Sequence, residues 1–363
     1  MKILVVDDSI VFRSAIVSAI GTENGFEVVR SLVNGKLAVD FLAQNSEIDL
    51  ITLDMEMPVM DGMEAIKEIR KFNKSVVIIV FSSLTHKGAE KTLEALNAGA
   101  NDFVTKPENS SGKIEDSVTS IKEELLPKIR AFRDRSNRAS RTHTPISFKS
   151  ESPSTVDNSS HSPREDLINP LSFKFKMRPN LIVIGCSTGG PEALGQIFKA
   201  IKNQISVPML IVQHMPPLFT QKLAEMLSKV SPVKVFEAQE GDQLKPGVCY
   251  IAPGDYHMTV DENGIIHLDQ GAKVCFVRPS VDVLFNSVAE NIKGHILSIV
   301  LTGMGEDGAV GAKRLQEKGA SIFVQDKATS VVWGMPGAVK KQVAEAKLVS
   351  INDIGLLIEQ SLK

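Results

Sequence analysis

The sequence has almost no excess charge of either sign: 41 Lys and Arg stand against 43 Asp and Glu. That balance gives no global electrostatic case for nucleic acid or an anionic membrane as the main partner, so any basic patch has to be local. Cysteine is scarce as well. Cys186, Cys249 and Cys275 are an odd number at wide spacing, which fits neither a disulfide framework nor a CxxC-type metal site and points to a reducing, cytoplasmic setting. Long apolar runs are missing. The longest, Val76 to Phe81, is far short of the roughly 18 residues that span a bilayer, and Ile3-Leu4-Val5-Val6 stops at Asp7-Asp8, so neither an export signal nor an anchor is expected. What remains is a 363-residue chain, 43% apolar and 23% charged, of ordinary globular composition and long enough for two domains.

From residue 1 to about 126 the sequence alternates short β-branched runs (ILVV, FEVV, IDLITL, VVIIVF, DFV) with amphipathic segments such as Met63 to Phe72. Five such strands alternating with helices predict a doubly wound parallel sheet. The pattern then breaks. Between 128 and 141 six bases (Lys128, Arg130, Arg133, Arg135, Arg138, Arg141) meet a single acid, Asp134, and the stretch after Arg141 is rich in Ser and Pro. Residues 127–178 are therefore expected to form a flexible basic linker. From 179 to 363 the alternation resumes with LIVIG, MLIVQ, VCYIA, ILSIVL and SIFV, and Asn263-Gly264 between MTV and IIHL marks a hairpin. The C-terminal unit is predicted to be α/β, with a parallel sheet and an antiparallel hairpin.

In an open parallel sheet, chemistry gathers at the carboxyl ends of the strands. Asp7 and Asp8 follow the first strand, Asp54 ends the third, Ser82 ends the fourth, and Lys106 follows the fifth. Three carboxylates, a hydroxyl and an ammonium thus share one crevice. Hard oxygen ligands of this kind suit Mg²⁺, and packed carboxylates repel one another without a cation. A pair of acids after one strand is usually only a polar loop; all four positions filled at the correct strand ends is much harder to obtain by chance.

The segments MKILVVDDS, LITLDMEMPVMDG, VFSSLT and DFVTKP resemble the receiver domain of two-component response regulators. The resemblance implies that Asp54 takes a phosphoryl group from a phosphohistidine of a histidine kinase. It places Asp8, Asp54 and the backbone carbonyl of Glu56 on Mg²⁺, with Asp7 supporting through water and with Ser82 and Lys106 on the phosphoryl oxygens. Phe103 sits where the family often has an aromatic that follows phosphorylation, and it reads equally well as a buried strand residue.

In the second unit, Gly185-Cys186-Ser187-Thr188-Gly189 stands at a strand-to-helix junction. This is G-x-S-x-G, the arrangement that exposes a serine hydroxyl at the top of a sheet. A phosphate-binding loop is the plainer alternative, but Ser187 occupies the place of the second glycine of a dinucleotide fingerprint and no Gly-Lys-Ser/Thr comes after it. A serine needs a base and an orienting acid. His214 closes the next strand; His257 reads as loop-borne, His267 as lying on the hairpin, and His295 as starting a strand at the far end. Asp307, in Thr302-Gly303-Met304-Gly305-Glu306-Asp307-Gly308, follows a strand on the same edge, and its neighbour Glu306 is the alternative acid.

IGCSTGGPEAL, VQHMPPLFT, APGDYHM, RPSVDVLF, LTGMGEDGAVGA and VVWGMPGAV resemble, in order, the catalytic domain of the CheB family of chemotaxis protein-glutamate methylesterases. The resemblance implies Ser187 as nucleophile, His214 as general base and acid, Asp307 as the residue that orients the imidazole, and backbone amides near Thr188 and Met304 as oxyanion donors. Cys186 and the long basic linker depart from the family's pattern. The implied protein is a monomeric cytoplasmic hydrolase that needs no cofactor for ester cleavage and meets the membrane only through its chemoreceptor substrates. It would demethylate receptor glutamate esters, and deamidate receptor glutamines, under control of a chemotaxis kinase. A transcriptional regulator holding DNA through the basic segment would need a helix-turn-helix that the strand-rich second unit does not offer, so no nucleic acid partner is expected. A catalytically silent adaptor is the third reading, separated from the enzyme by hydrolysis of a methylated receptor.

Overall fold

The computed structural model describes residues 1–106, 114–141 and 167–363. Its N-terminal unit is a parallel sheet of β1 (Lys2–Val6), β2 (Glu27–Leu32), β3 (Leu50–Asp54), β4 (Val77–Ser82) and β5 (Asp102–Thr105), ordered β2-β1-β3-β4-β5. Strands buried on both faces need apolar residues at every position, and here alternate residues part to opposite sides. Ile3, Val5, Leu50, Ile79 and Phe81 meet α1 (Ile10–Gly21) and α5 (Ile114–Arg141). Leu4, Val6, Ile51, Leu53 and Val80 meet α2 (Gly35–Gln44), α3 (Gly62–Phe72) and α4 (His86–Ala98). Ser9, Asp61 and Thr85 start α1, α3 and α4 by accepting bonds from the amides of Phe12, Glu64 and Gly88. The strand order reverses between β1 and β3, which opens the crevice where the acidic residues collect.

The expected linker from residue 127 does not begin as one. Helix α5 continues through Pro127 to Arg141, and Ile121, Leu125, Ile129 and Phe132 form one buried stripe on it. Three bases of this stretch serve packing: Lys128 Nζ donates to Asp102 Oδ1 and Phe103 O, Arg130 pairs with Glu23, and Arg133 lies over Phe26. Residues 142–166 lie outside the described residues. From 167 the chain already belongs to the second unit, because Leu167 bridges to Leu348 and Phe173 and Phe175 both pack on Phe323.

That unit is built on seven parallel strands: β6 (Leu181–Cys186), β7 (Met209–Gln213), β8 (Lys234–Glu237), β9 (Val248–Ile251), β12 (Ile296–Val300), β13 (Ser321–Gln325) and β14 (Lys347–Val349). Their order is β14-β13-β12-β6-β7-β9-β8. The edge strands β8 and β14 escape the sequence reading because each is short. The hairpin forms as predicted, from β10 (His257–Val260) and β11 (Ile266–Asp269), with Gly264 in the left-handed region. His257, expected on a loop, opens β10 and is buried. Helices α6 (Gly190–Ala200), α7 (Phe219–Val230), α8 (Val281–Asn291), α9 (Ala309–Glu317), α10 (Met335–Gln342) and α11 (Ile351–Ser361) cover the sheet.

The two units touch. Helix α4 packs along α7, Phe103 stacks on Phe219 with ring centroids 4.8 Å apart and planes within 5°, and Asn97 reaches Met226. Val331 and Val332, the first of which presses on Gly189, join the apolar cluster of the N-terminal unit.

Candidate active site

Strand β6 delivers Ser187 and strand β7 delivers His214, side by side on one edge of the sheet. Their loops are tied together: the His214 amide donates to Cys186 O at 3.1 Å and the Ser187 amide to Thr302 O at 3.1 Å. Asp307, beyond β12, is buried, and its Oδ2 meets His214 Nε2 at 2.7 Å. The other contacts of this carboxylate come from the start of α8. Ser280 Oγ (2.8 Å) and the Asp282 amide (2.9 Å) donate to Oδ1, and the Val281 amide (2.6 Å) donates to Oδ2. A helix N-terminus offers unpaired amides and a positive dipole end, so the sequence Ser-Val-Asp forms a ready-made carboxylate seat. Burial pushes the Asp307 carboxyl up, but His214 and the amides of Asp282 and Val281 outweigh it and hold it below the usual carboxylate range. With Nε2 given to Asp307, the free lone pair of the imidazole is on Nδ1. Glu306, the alternative acid, is exposed.

Glycines let the loops close on the serine. A Cβ on Gly303 would stand 2.9 Å from Ser187 Cβ, and one on Gly334 would strike the backbone of residues 303 to 305. Among the described residues the amides of Thr188 and Met304 donate to no acceptor, which leaves both available to a developing oxyanion.

Two residues of this site were not singled out from the sequence. Gln213 ends β7 with its Nε2 donating to Ser187 O (3.0 Å) and His214 O (3.1 Å), so one buried amide ties the Ser187 loop to the His214 loop. Asp282 accepts from the Gly311 amide at 2.7 Å and so caps α9 from a neighbouring helix, while its own amide holds Asp307. Its motif, RPSVDVLF, was visible; its distance in sequence from Asp307 hid the link. Cys186, beside Ser187 in sequence, points away from it: the thiol is fully buried on the α6 side, where burial pushes its pKa up.

In the N-terminal unit, Asp7, Asp8 and Asp54 bring carboxylate oxygens within 4.8 Å of one another. Oδ2 of Asp7 and of Asp54 are buried without a well-directed hydrogen bond, although Lys106 Nζ lies 3.4 Å and 2.7 Å from them. Burial and the neighbouring Asp54 push Asp7 up to about 6 against the pull of Lys106, and burial raises Asp54 as well. Carboxylates that are this costly to ionise and short of donors fit a divalent cation. The Glu56 amide donates to Asp54 Oδ1, and residue 56 lines the same pocket as Asp54, Ser82 and Lys106. The Ser82 hydroxyl is engaged with α4, donating to Gly88 O and accepting from Thr92 Oγ1.

Residues 182–358 match the CheB methylesterase family and residues 3–118 the response regulator receiver domain. A protein-glutamate methylesterase/protein-glutamine glutaminase of Nocardioides sp. is 41% identical over 358 residues, covering 98% of this chain and 93% of that protein. One of the same name from Trichodesmium erythraeum is 39% identical, over 97% of this chain and 96% of its own. The crystal structure of the Thermotoga maritima CheB methylesterase catalytic domain is 40% identical and covers 50% of this chain and 98% of that one, with a TM-score of 0.47.

Ser187→Ala is expected to lower turnover by as much as about 10⁶-fold in a folded protein. Cys186→Ala should leave turnover intact and cost about 1–2 kcal/mol in urea unfolding, the penalty of a small core cavity. The reverse pattern would replace the serine by a thiol. A second expectation concerns pH. Burial, helped by Asp307 and opposed by the Gly311 amide, raises Asp282 from 3.8 to about 6. A raised carboxyl pKa means that the folded state holds the proton more tightly, so the stabilisation is complete below about pH 4 and is lost as pH rises to about 6. Asp282→Asn keeps the acceptor for Gly311 and removes the titration. Relative to wild type it should therefore gain on the order of 2 kcal/mol between pH 4 and pH 7 in urea unfolding; a flat difference would remove this cause.

Proposed function

Because this chain belongs to the CheB family of protein-glutamate methylesterases, we propose that Ser187, His214 and Asp307 are the groups with which it carries out that family's reaction. The protein is a protein-glutamate methylesterase and protein-glutamine glutaminase controlled by a receiver domain. The observation that carries the site assignment is the 2.7 Å contact between His214 Nε2 and the buried Asp307 at the strand edge that bears Ser187. On this reading Ser187 Oγ attacks the γ-carbonyl of a glutamate methyl ester while His214 Nδ1 takes its proton. The amides of Thr188 and Met304 receive the oxyanion, and His214 returns the proton to the leaving methoxide, releasing methanol. Water then cleaves the acyl-Ser187 by the same route. A receptor glutamine passes through the same oxyanion with ammonia as the leaving group.

The N-terminal unit supplies control. Asp54 is the phosphoryl acceptor from a chemotaxis histidine kinase, and Lys106 and Ser82 hold the phosphoryl oxygens. Mg²⁺ on Asp8, Asp54 and the Glu56 carbonyl, with Asp7 behind, would supply charge neutralisation of the transferring group. The substrates are methyl-accepting chemoreceptors, reached from the cytoplasm by a monomer; no helix among the described residues is long and apolar enough to cross a membrane. The stacking of Phe103 on Phe219, five residues beyond His214, supports a resting state in which the receiver restrains the catalytic edge. The Ser82 hydroxyl, engaged with α4 at rest, would turn to the phosphoryl group and loosen that helix.

Methanol release from methylated receptor membranes should rise with a small-molecule phosphodonor only when Mg²⁺ is present, and Asp54→Asn should lose that response alone. A fragment from residue 167 onward should exceed the unphosphorylated full chain and ignore the phosphodonor. A fragment slower than the resting chain would mean that the receiver completes the site instead of restraining it.

A further inference from the structure

Next to the catalytic carboxylate the chain makes a turn that is unusual for its residues. Val274 and Val277 exchange two backbone hydrogen bonds, of 3.2 and 3.0 Å, and the residues between them, Cys275 and Phe276, have φ of +51° and +65°. A two-residue turn with both central φ positive is one that asparagine and glycine ordinarily fill, so a phenylalanine there is held against its own preference. The base of the turn is clamped. Arg278 donates to Gln270 O and Gly271 O at 2.7 Å and to Asp255 Oδ1, and His257 Nε2 meets Ala272 O at 3.0 Å. The result of this arrangement is that Phe276 is 96% exposed.

The position of the turn gives the exposed ring a use. Cys275 Sγ lies within 4.8 Å of carboxylate oxygens of Asp282 and Asp307, so the tip is continuous with the catalytic edge. The segment that carries Asp307 adds exposed apolar side chains, Met304 three residues before it and Val310 three residues after, with the exposed Glu306 between them. Phe276 remains bare with the receiver in place, so it is open to a partner before the restraint is lifted. A bare aromatic on a preorganised turn binds without an ordering cost, and aromatics in that role carry a large share of interface affinity.

We propose that Phe276 is a docking residue for the receptor segment that carries the methyl ester: an apolar side chain of that segment seats on the ring while the neutral ester reaches Ser187. This inference rests on the methylesterase reading above. Phe276 acts by positioning the macromolecular substrate and takes no part in the chemistry.

The test uses the full chain, activated by phosphodonor and Mg²⁺, on two substrates: methylated receptor membranes and N-acetylglutamate γ-methyl ester. Phe276→Ala should raise KM for the receptor about tenfold, the scale of one lost aromatic anchor, with kcat little changed. Phe276→Leu should recover most of the affinity, and hydrolysis of the small ester by both variants should match wild type. An unchanged receptor KM in Phe276→Ala would overturn the proposal, as would an equal loss on both substrates. A wild-type protein that hydrolyses neither substrate would instead overturn the methylesterase reading itself.

Discussion

Asp307 is a carboxylate taken out of water, and the catalytic half of the molecule is arranged around keeping it charged. An unpaired buried carboxylate costs several kcal/mol, so each of its oxygens has to find donors. Ser280, Val281 and Asp282 supply three of them from the start of α8, and His214 supplies the fourth. Through Asp282 the same seat reaches α9, whose first amides it caps. One charge therefore fixes the relative placement of two helices, the β7 loop and the imidazole, and Gln213 extends the tie to the Ser187 backbone.

The receiver is joined to this arrangement by aromatic and apolar packing, flanked by opposite charges that face across the contact, Arg70 towards Glu192 and Glu90 towards Lys222. Phe103 stands three residues before Lys106, and its ring stacks on the first residue of α7. Lys128 lies against the same ring while bonding Asp102 and the Phe103 carbonyl. A change at the acidic crevice thus has a short path, through β5 and α4, to the helix that comes after the His214 loop. Flat aromatic stacking and apolar cover are suited to a contact that has to separate, since neither leaves a buried charge behind.

Much of this was legible in the sequence because parallel strands put their chemistry at one end: Asp7, Asp54, Lys106, Ser187 and His214 all fall at or just after the end of an apolar run. What was not legible depends on partners distant in sequence. A string of bases read as a linker, yet Ile121, Leu125, Ile129 and Phe132 kept a helical stripe that only α1 and the sheet could bury. Residues 167–178 read as part of the linker, yet Phe173 and Phe175 meet Phe323. Cys186 beside Ser187 invited a reactive thiol, although period-two alternation with Ile182 and Ile184 already placed it on the α6 face. Asp307 could be favoured over Glu306 only modestly, because its seat lies some 25 residues upstream.

Proton transfer at the proposed catalytic edge turns on which imidazole nitrogen the carboxylate holds. Heteronuclear NMR of ¹⁵N-histidine-labelled protein reads this directly. The strongly deshielded His214 proton should be bonded to Nε2 and should lose its deshielding in Asp307→Asn, leaving Nδ1 as the acceptor for Ser187. The same proton found on Nδ1, or unmoved when Asp307 is neutralised, would contradict the arrangement on which the catalytic assignment depends.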